Sequence, residues 1–137
     1  FASRSENVEK LIIKNYRKKI ILIDRFIDST LAYQHYGMGI NKKLIINLNK
    51  FILNKIKPDF TFLNIVDKNN LRLRLNKRTN KNRYDKFNFN FYNKVQKGFI
   101  KIARKKNNYL IINSNNTINY NKNLIIKKIT RLIWKWI

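Results

Sequence analysis

At 137 residues and 44% apolar content, the chain is long enough for one domain with a real core and too apolar for disorder. Its formal charge is +24, from 31 Lys and Arg against 7 Asp and Glu, but the lysines are spread over every segment, and with Asn and Ile they fill about half the chain; this is a compositional bias more than a polyanion footprint, and neither a nucleic-acid nor a membrane partner is expected from it. The absence of cysteine excludes disulfides, thiolate metal sites and Cys nucleophiles and is compatible with a cytoplasmic protein, a lone His35 excludes a His-based metal centre, and no apolar run approaches the ~18 residues of a membrane span.

Along the chain, Val8, Leu11, Ile12 and Tyr16 recur at helical spacing and predict a helix over 5–16, with Ser5 as its cap. "KKIILID", 18–24, is a short continuous apolar run ending in an acid, the profile of a strand buried on both faces of a parallel sheet. Leu44, Ile45, Leu48, Phe51 and Ile52 give one face of a helix over 42–55, which Pro58 terminates. "DFTFLNIV", 59–66, predicts a second strand, and 69–77 a short helix carrying Arg72 and Arg74. Residues 77–83 are almost all polar or basic, a loop by composition. A long helix over 85–106, a third strand "YLIIN" at 109–113 and a last helix over 121–136 complete the chain, with no internal repeat and no domain linker.

Alternating strands and helices imply an α/β protein with a parallel sheet, and such sheets bind ligands at the carboxyl ends of their strands. Asp24 and Arg25 stand where the run "IILI" stops. An acid at such a strand end can hold magnesium near a phosphate, and an adjacent guanidinium offers a fork that fits the phosphate itself. On the dipeptide alone, the competing reading is an Asp capping the next segment with the Arg paired to it.

The wider stretch "DRFIDSTLAYQ", 24–34, resembles the thymidylate kinase motif: Asp-Arg-aromatic, a Ser/Thr pair, then Ala-Tyr-Gln. "FASRSENVEKLI" is similar to that family's helix with an Ala-x-Arg, "KPDFTFLNIV" to its Pro-Asp strand, and 82–103 to its Asp-Arg segment followed by an aromatic-rich helix. Four such matches in the family's order cover essentially the whole chain.

The resemblance implies a three-layer P-loop-kinase-like sandwich and the ATP-dependent phosphorylation of dTMP to dTDP, with ATP as co-substrate, Mg2+ as cofactor and a homodimer as the complete assembly. Under it, Arg25 grips the dTMP phosphate and Asp24 organises magnesium. Arg4 hydrogen-bonds the thymine edge, while Ser29, Thr30 and Gln34 line the thymine pocket and Tyr33 packs under the deoxyribose. Arg74 lies on the helix leading into a cationic lid, with Arg78 and Arg83 in it, and Asp24, Arg25 and Arg78 are the catalytic candidates.

Some residues depart from the family pattern. "HYGMG" at 35–39 puts His35 and Tyr36 where small residues are usual and Met38 where an arginine is usual; Asn82 replaces a lid Asp, and Asp85 stands in for Glu. None of Gly37, Gly39 and Gly98 lies in a phosphate-binding loop ending in Lys-Ser/Thr. The family places that loop, and the central strand before it, upstream of the matched motifs. Residues 1–137 therefore read as a partial domain, expected neither to fold well nor to phosphorylate dTMP alone. A basic nucleic-acid-binding module and another nucleotide kinase of the same fold are the alternatives.

Overall fold

The computed structural model describes residues 2–53, 56–77 and 88–134, with side chains from Ser5 onward. The first helix runs as α1 (Ala2–Asn7), a π-helical stretch π1 (Val8–Ile12) and α2 (Ile13–Asn15). Ser5 is therefore inside the helix and caps nothing; its hydroxyl donates to Glu9 one turn on, beside an exposed Glu6–Lys10 ion pair at 2.6 Å. Arg17, at φ +62°, turns the chain out of this helix in the left-handed conformation common just past a helix C-terminus.

Residues 18–24, expected as a strand, form none. Their run is irregular: Ile21 packs against the first helix's apolar cluster, but Ile20 is 70% exposed and Leu22 85%. A strand exists through its ladder of backbone hydrogen bonds, and among the described residues the one sheet is the pair β1 (Thr61–Ile65) and β2 (Tyr109–Asn113). These two strands lie parallel, with Leu63 opposite Ile111. Both fall inside the stretches read as strands from sequence.

Four helices follow or flank the sheet, each started by a side-chain cap that the sequence supplies. Asp67, Asn88 and Thr117 accept from the backbone N–H three residues on, opening α5 (Lys68–Asn76), α6 (Phe89–Ala103) and α7 (Ile118–Ile133). The last helix thus begins before 121 because Thr117 caps it. Asn41 accepts from the amides of Lys43 and Leu44 at the head of α4 (Lys42–Leu53). The unexpected element is a helix over the motif itself, α3 (Ile27–Thr30), continuing as π2 (Leu31–Gly37). Among the described residues no helix is long and apolar enough to cross a membrane.

The core is in two parts. Val8, Ile12 and Leu53 bury together with Phe26 and Ile27 against them, which fastens the start of the motif to the first helix. Ala32, Phe91, Val95 and Ile102 form the second cluster, between π2 and α6. Here the two helices approach closely enough that glycine is needed on both. A Cβ on Gly37 would lie 2.6 Å from the Phe91 ring and 2.9 Å from Val95, and one on Gly98 would lie 2.6 Å from the Tyr36 ring.

Gly98→Ala in the complete protein gains up to about 1 kcal/mol of helix propensity but forces the Tyr36 ring out of its seat, a class of overpacking that costs roughly 1 to 3 kcal/mol. The expected result is a net loss in denaturant unfolding, recovered when Tyr36→Ala is added; a stabilised single variant would show that the two helices have room to spare.

Candidate active site

The motif leaves the irregular 18–24 run at a bend. Asp24 and Arg25 are both exposed there, and Arg25 has φ +62°. A non-glycine residue in the left-handed region is uncommon and costs on the order of 1 kcal/mol, because its Cβ crowds the backbone, so something must hold it. The hold is on its C-terminal side. The Ser29 amide donates to the Phe26 carbonyl at 3.1 Å, and Phe26 and Ile27 are anchored in the first apolar cluster.

From that bend the Arg25 guanidinium reaches over the ring of Tyr33, 5.6 Å from its centroid. Tyr33 is set by two edge-on contacts from α6, Phe91 at 6.0 Å and Phe99 at 6.2 Å. The arginine, the tyrosine and the aromatic face of α6 are therefore one assembly. Thr30 is buried, Ser29 and Gln34 are half-buried, and all three belong to the same helical segment. The π-helical winding of 31–37 matters because i→i+5 hydrogen bonding changes which residues share a face, a device found often at functional sites. Its end is tied down by the Met38 amide on the Tyr33 carbonyl at 3.0 Å and by His35 Nδ1, which donates to the Ile40 carbonyl at 2.9 Å.

A second set of groups, missed in the sequence reading, locks this helix to the sheet. Asp28 accepts from Lys106 Nζ at 2.9 Å on each oxygen and from the Tyr109 hydroxyl. Burial, and then the Asp28 carboxylate beside it, push the Tyr109 hydroxyl well above the ordinary tyrosine range. Lys106 and Tyr109 lie at the exit of α6 and the first position of β2, about 80 residues from Asp28, so no local pattern could have announced them. Gln96 of α6 similarly clamps the backbone just past β1: its side chain accepts from the Val66 amide at 3.0 Å and donates to the Val66 carbonyl at 2.8 Å.

The remaining expected site residues divide sharply. Arg74 donates to the Ser114 carbonyl at 2.7 Å, and Asn70 donates to Asn115 and to Asp67, so α5 is pinned to the turn after β2. The Asn70 amide also holds the Asp67 carboxyl below its usual range. Arg78, Arg83, Asn82 and Asp85 lie outside the described residues, as does the side chain of Arg4. Among the described residues no cluster of three acidic or histidine side chains could hold a metal. Asp24 is a single exposed carboxylate, a donor set that fits magnesium only where phosphates and waters complete the coordination. A broad groove of ≈ 870 Å³ opens between the end of π2 and the start of α6, with Lys68, Lys94 and Lys97 around it, but neither Arg25 nor Tyr33 lines it.

A sequence profile described as thymidylate kinase matches residues 1–125. The chain belongs to the thymidylate kinase family. It is 47% identical over 102 residues to the thymidylate kinase of Wolbachia sp. subsp. Brugia malayi, covering 73% of this chain and 47% of that protein. The thymidylate kinase of Ehrlichia chaffeensis is 43% identical over 105 residues, 76% of this chain and 50% of its own length. The crystal structure of the Ehrlichia chaffeensis thymidylate kinase superposes with a TM-score of 0.71 at 34% identity, over 94% of this chain and 60% of that one. The chain thus spans about half the length of the curated relatives it matches, and it has the family's α/β fold with a parallel sheet.

Because the Tyr109 hydroxyl is held protonated in the folded state, its contribution to stability is complete below pH ~10, the ordinary tyrosine value, and is lost as pH rises beyond that. Tyr109→Phe should cost about 1.5 kcal/mol at neutral pH, by removing a hydrogen bond to a charged acceptor. It should also flatten the decline in melting temperature between pH 9 and pH 11. Parallel declines in the two proteins would detach Tyr109 from Asp28.

Proposed function

We propose that the protein carrying this chain is a dTMP kinase, transferring the γ-phosphoryl group of ATP to the 5′-phosphate of dTMP to give dTDP. Family membership supports the reaction class, and the assembly of Arg25 over Tyr33 is the single observation that supports this choice of site. Arg25 presents a planar, permanently charged fork to the dTMP phosphate, and the bend at 24–25 keeps it exposed for that purpose. Tyr33 packs under the deoxyribose, while Ser29, Thr30 and Gln34, with Arg4 from the first helix, address the thymine. The magnesium bound with the nucleotide neutralises phosphate charge as the phosphoryl group moves, and Asp24 is the residue that would hold it. Arg74 supports the lid from behind, and Arg78 and Arg83 bring cationic charge over the phosphates.

Arg25→Ala in the complete protein should weaken dTMP binding at least tenfold, since a charge-assisted bidentate contact contributes about 1.5 to 3 kcal/mol per hydrogen bond; an unchanged dissociation constant in calorimetry would remove Arg25 from the site. Asp24→Asn should lower turnover far more than dTMP affinity. Equal losses in both would make Asp24 a structural cap. Competition among dTMP, dCMP and dUMP separates this reading from a nucleotide kinase of another specificity, and tighter dCMP or dUMP binding would refute it.

A further inference from the structure

The bend at 24–25 fixes where Arg25 leaves the backbone but not where its charge sits, because several rotatable bonds separate the Cα from the guanidinium and the residue is exposed. A cation on so long a stem is commonly steadied by a carboxylate. Among the described residues none pairs with it. Asp28, three residues further along the same segment, is bonded to Lys106 and Tyr109, and Glu6 is matched by Lys10. The guanidinium lies instead over the Tyr33 ring, which Phe91 and Phe99 brace edge-on. The two kinds of hold differ in what they leave for a ligand. A carboxylate takes up N–H donors and cancels the charge, so a phosphate has to displace it. An aromatic face attracts the cation through its quadrupole, which leaves the charge whole and the N–H fork without an anionic competitor.

We infer that Tyr33 is a positioning residue for Arg25: its ring holds the guanidinium in place, still fully charged, for the phosphate of the nucleotide. The inference rests on the dTMP reading above and adds to it, since the ring then has a task toward the phosphate as well as one toward the sugar. Ring electronics, and not bulk alone, set how much the phosphate contributes to binding. An aliphatic side chain of similar size fills the space without holding the charge.

The test uses the complete protein with a series at position 33: Tyr33→Phe, the same phenylalanine carrying one, two or three ring fluorines, and Tyr33→Leu. Fluorine draws electron density from the ring face with little change of shape. Calorimetry gives the dissociation constants of thymidine and of dTMP, and the readout is the first divided by the second, in which contacts to sugar and base cancel. This ratio should fall stepwise with the number of fluorines, by about two- to fivefold in total, and Tyr33→Leu should lie at the low end. Arg25→Ala should lower it about tenfold or more and abolish its response to fluorine. A ratio that ignores fluorine while Arg25→Ala lowers it would overturn the inference and leave the dTMP reading standing. A ratio that rises with fluorine would also overturn it, by making the ring a trap that keeps Arg25 from the phosphate. A ratio that Arg25→Ala leaves unchanged would remove Arg25 from the phosphate and overturn both.

Discussion

The close approach of π2 to α6 is the constraint on which the site depends. Two glycines, one from each helix, let backbone meet side chain where any Cβ would collide. Because the helices lie this close, Phe91 and Phe99 reach the edges of Tyr33, and Tyr33 in turn lies beneath the Arg25 guanidinium. Widening the gap by even one methyl group would be felt three contacts away, since close-packed interiors transmit strain instead of absorbing it. The same contact explains how the chain carries a bulky Tyr36 at this point of the helix: Gly98 opposite it supplies the space.

The site is held at three points of different character. Apolar burial of Phe26 and Ile27 against the first helix fixes where the motif begins. The glycine-mediated contact fixes its middle and end. Asp28, bonded to Lys106 and Tyr109, fixes its orientation to β2. The first is non-directional and tolerant of substitution, and the second is steric; only the third depends on the protonation of its groups. Gln96, gripping both polar groups of Val66, applies the same logic to β1.

Much of this was legible in the sequence because it rests on local signals. Period-3.6 apolar spacing located the first helix and α4, and short apolar runs between polar segments located β1 and β2. The run at 18–24 carries an equally good strand signal yet pairs with nothing among the described residues. A pattern of apolar residues records what a segment is suited to, whereas pairing requires a neighbour. The helix over 27–37 escaped notice for the opposite reason: its residues were read for chemistry, and its π winding breaks the spacing that would have shown it. Asp28, Lys106 and Tyr109 were invisible for a third reason, being brought together only by the tertiary fold.

The left-handed backbone at Arg25 sets two kinds of selection against each other. Glycine adopts that conformation without strain, and asparagine nearly so, which makes both the comfortable residues for position 25. Arginine persists there against a standing conformational preference. A library screened on melting temperature or soluble yield would accumulate glycine at this position, while one screened on the dTMP binding proposed for Arg25 would hold the guanidinium and recover its stability elsewhere. Residue frequencies at position 25 therefore indicate which demand a population of variants has been answering.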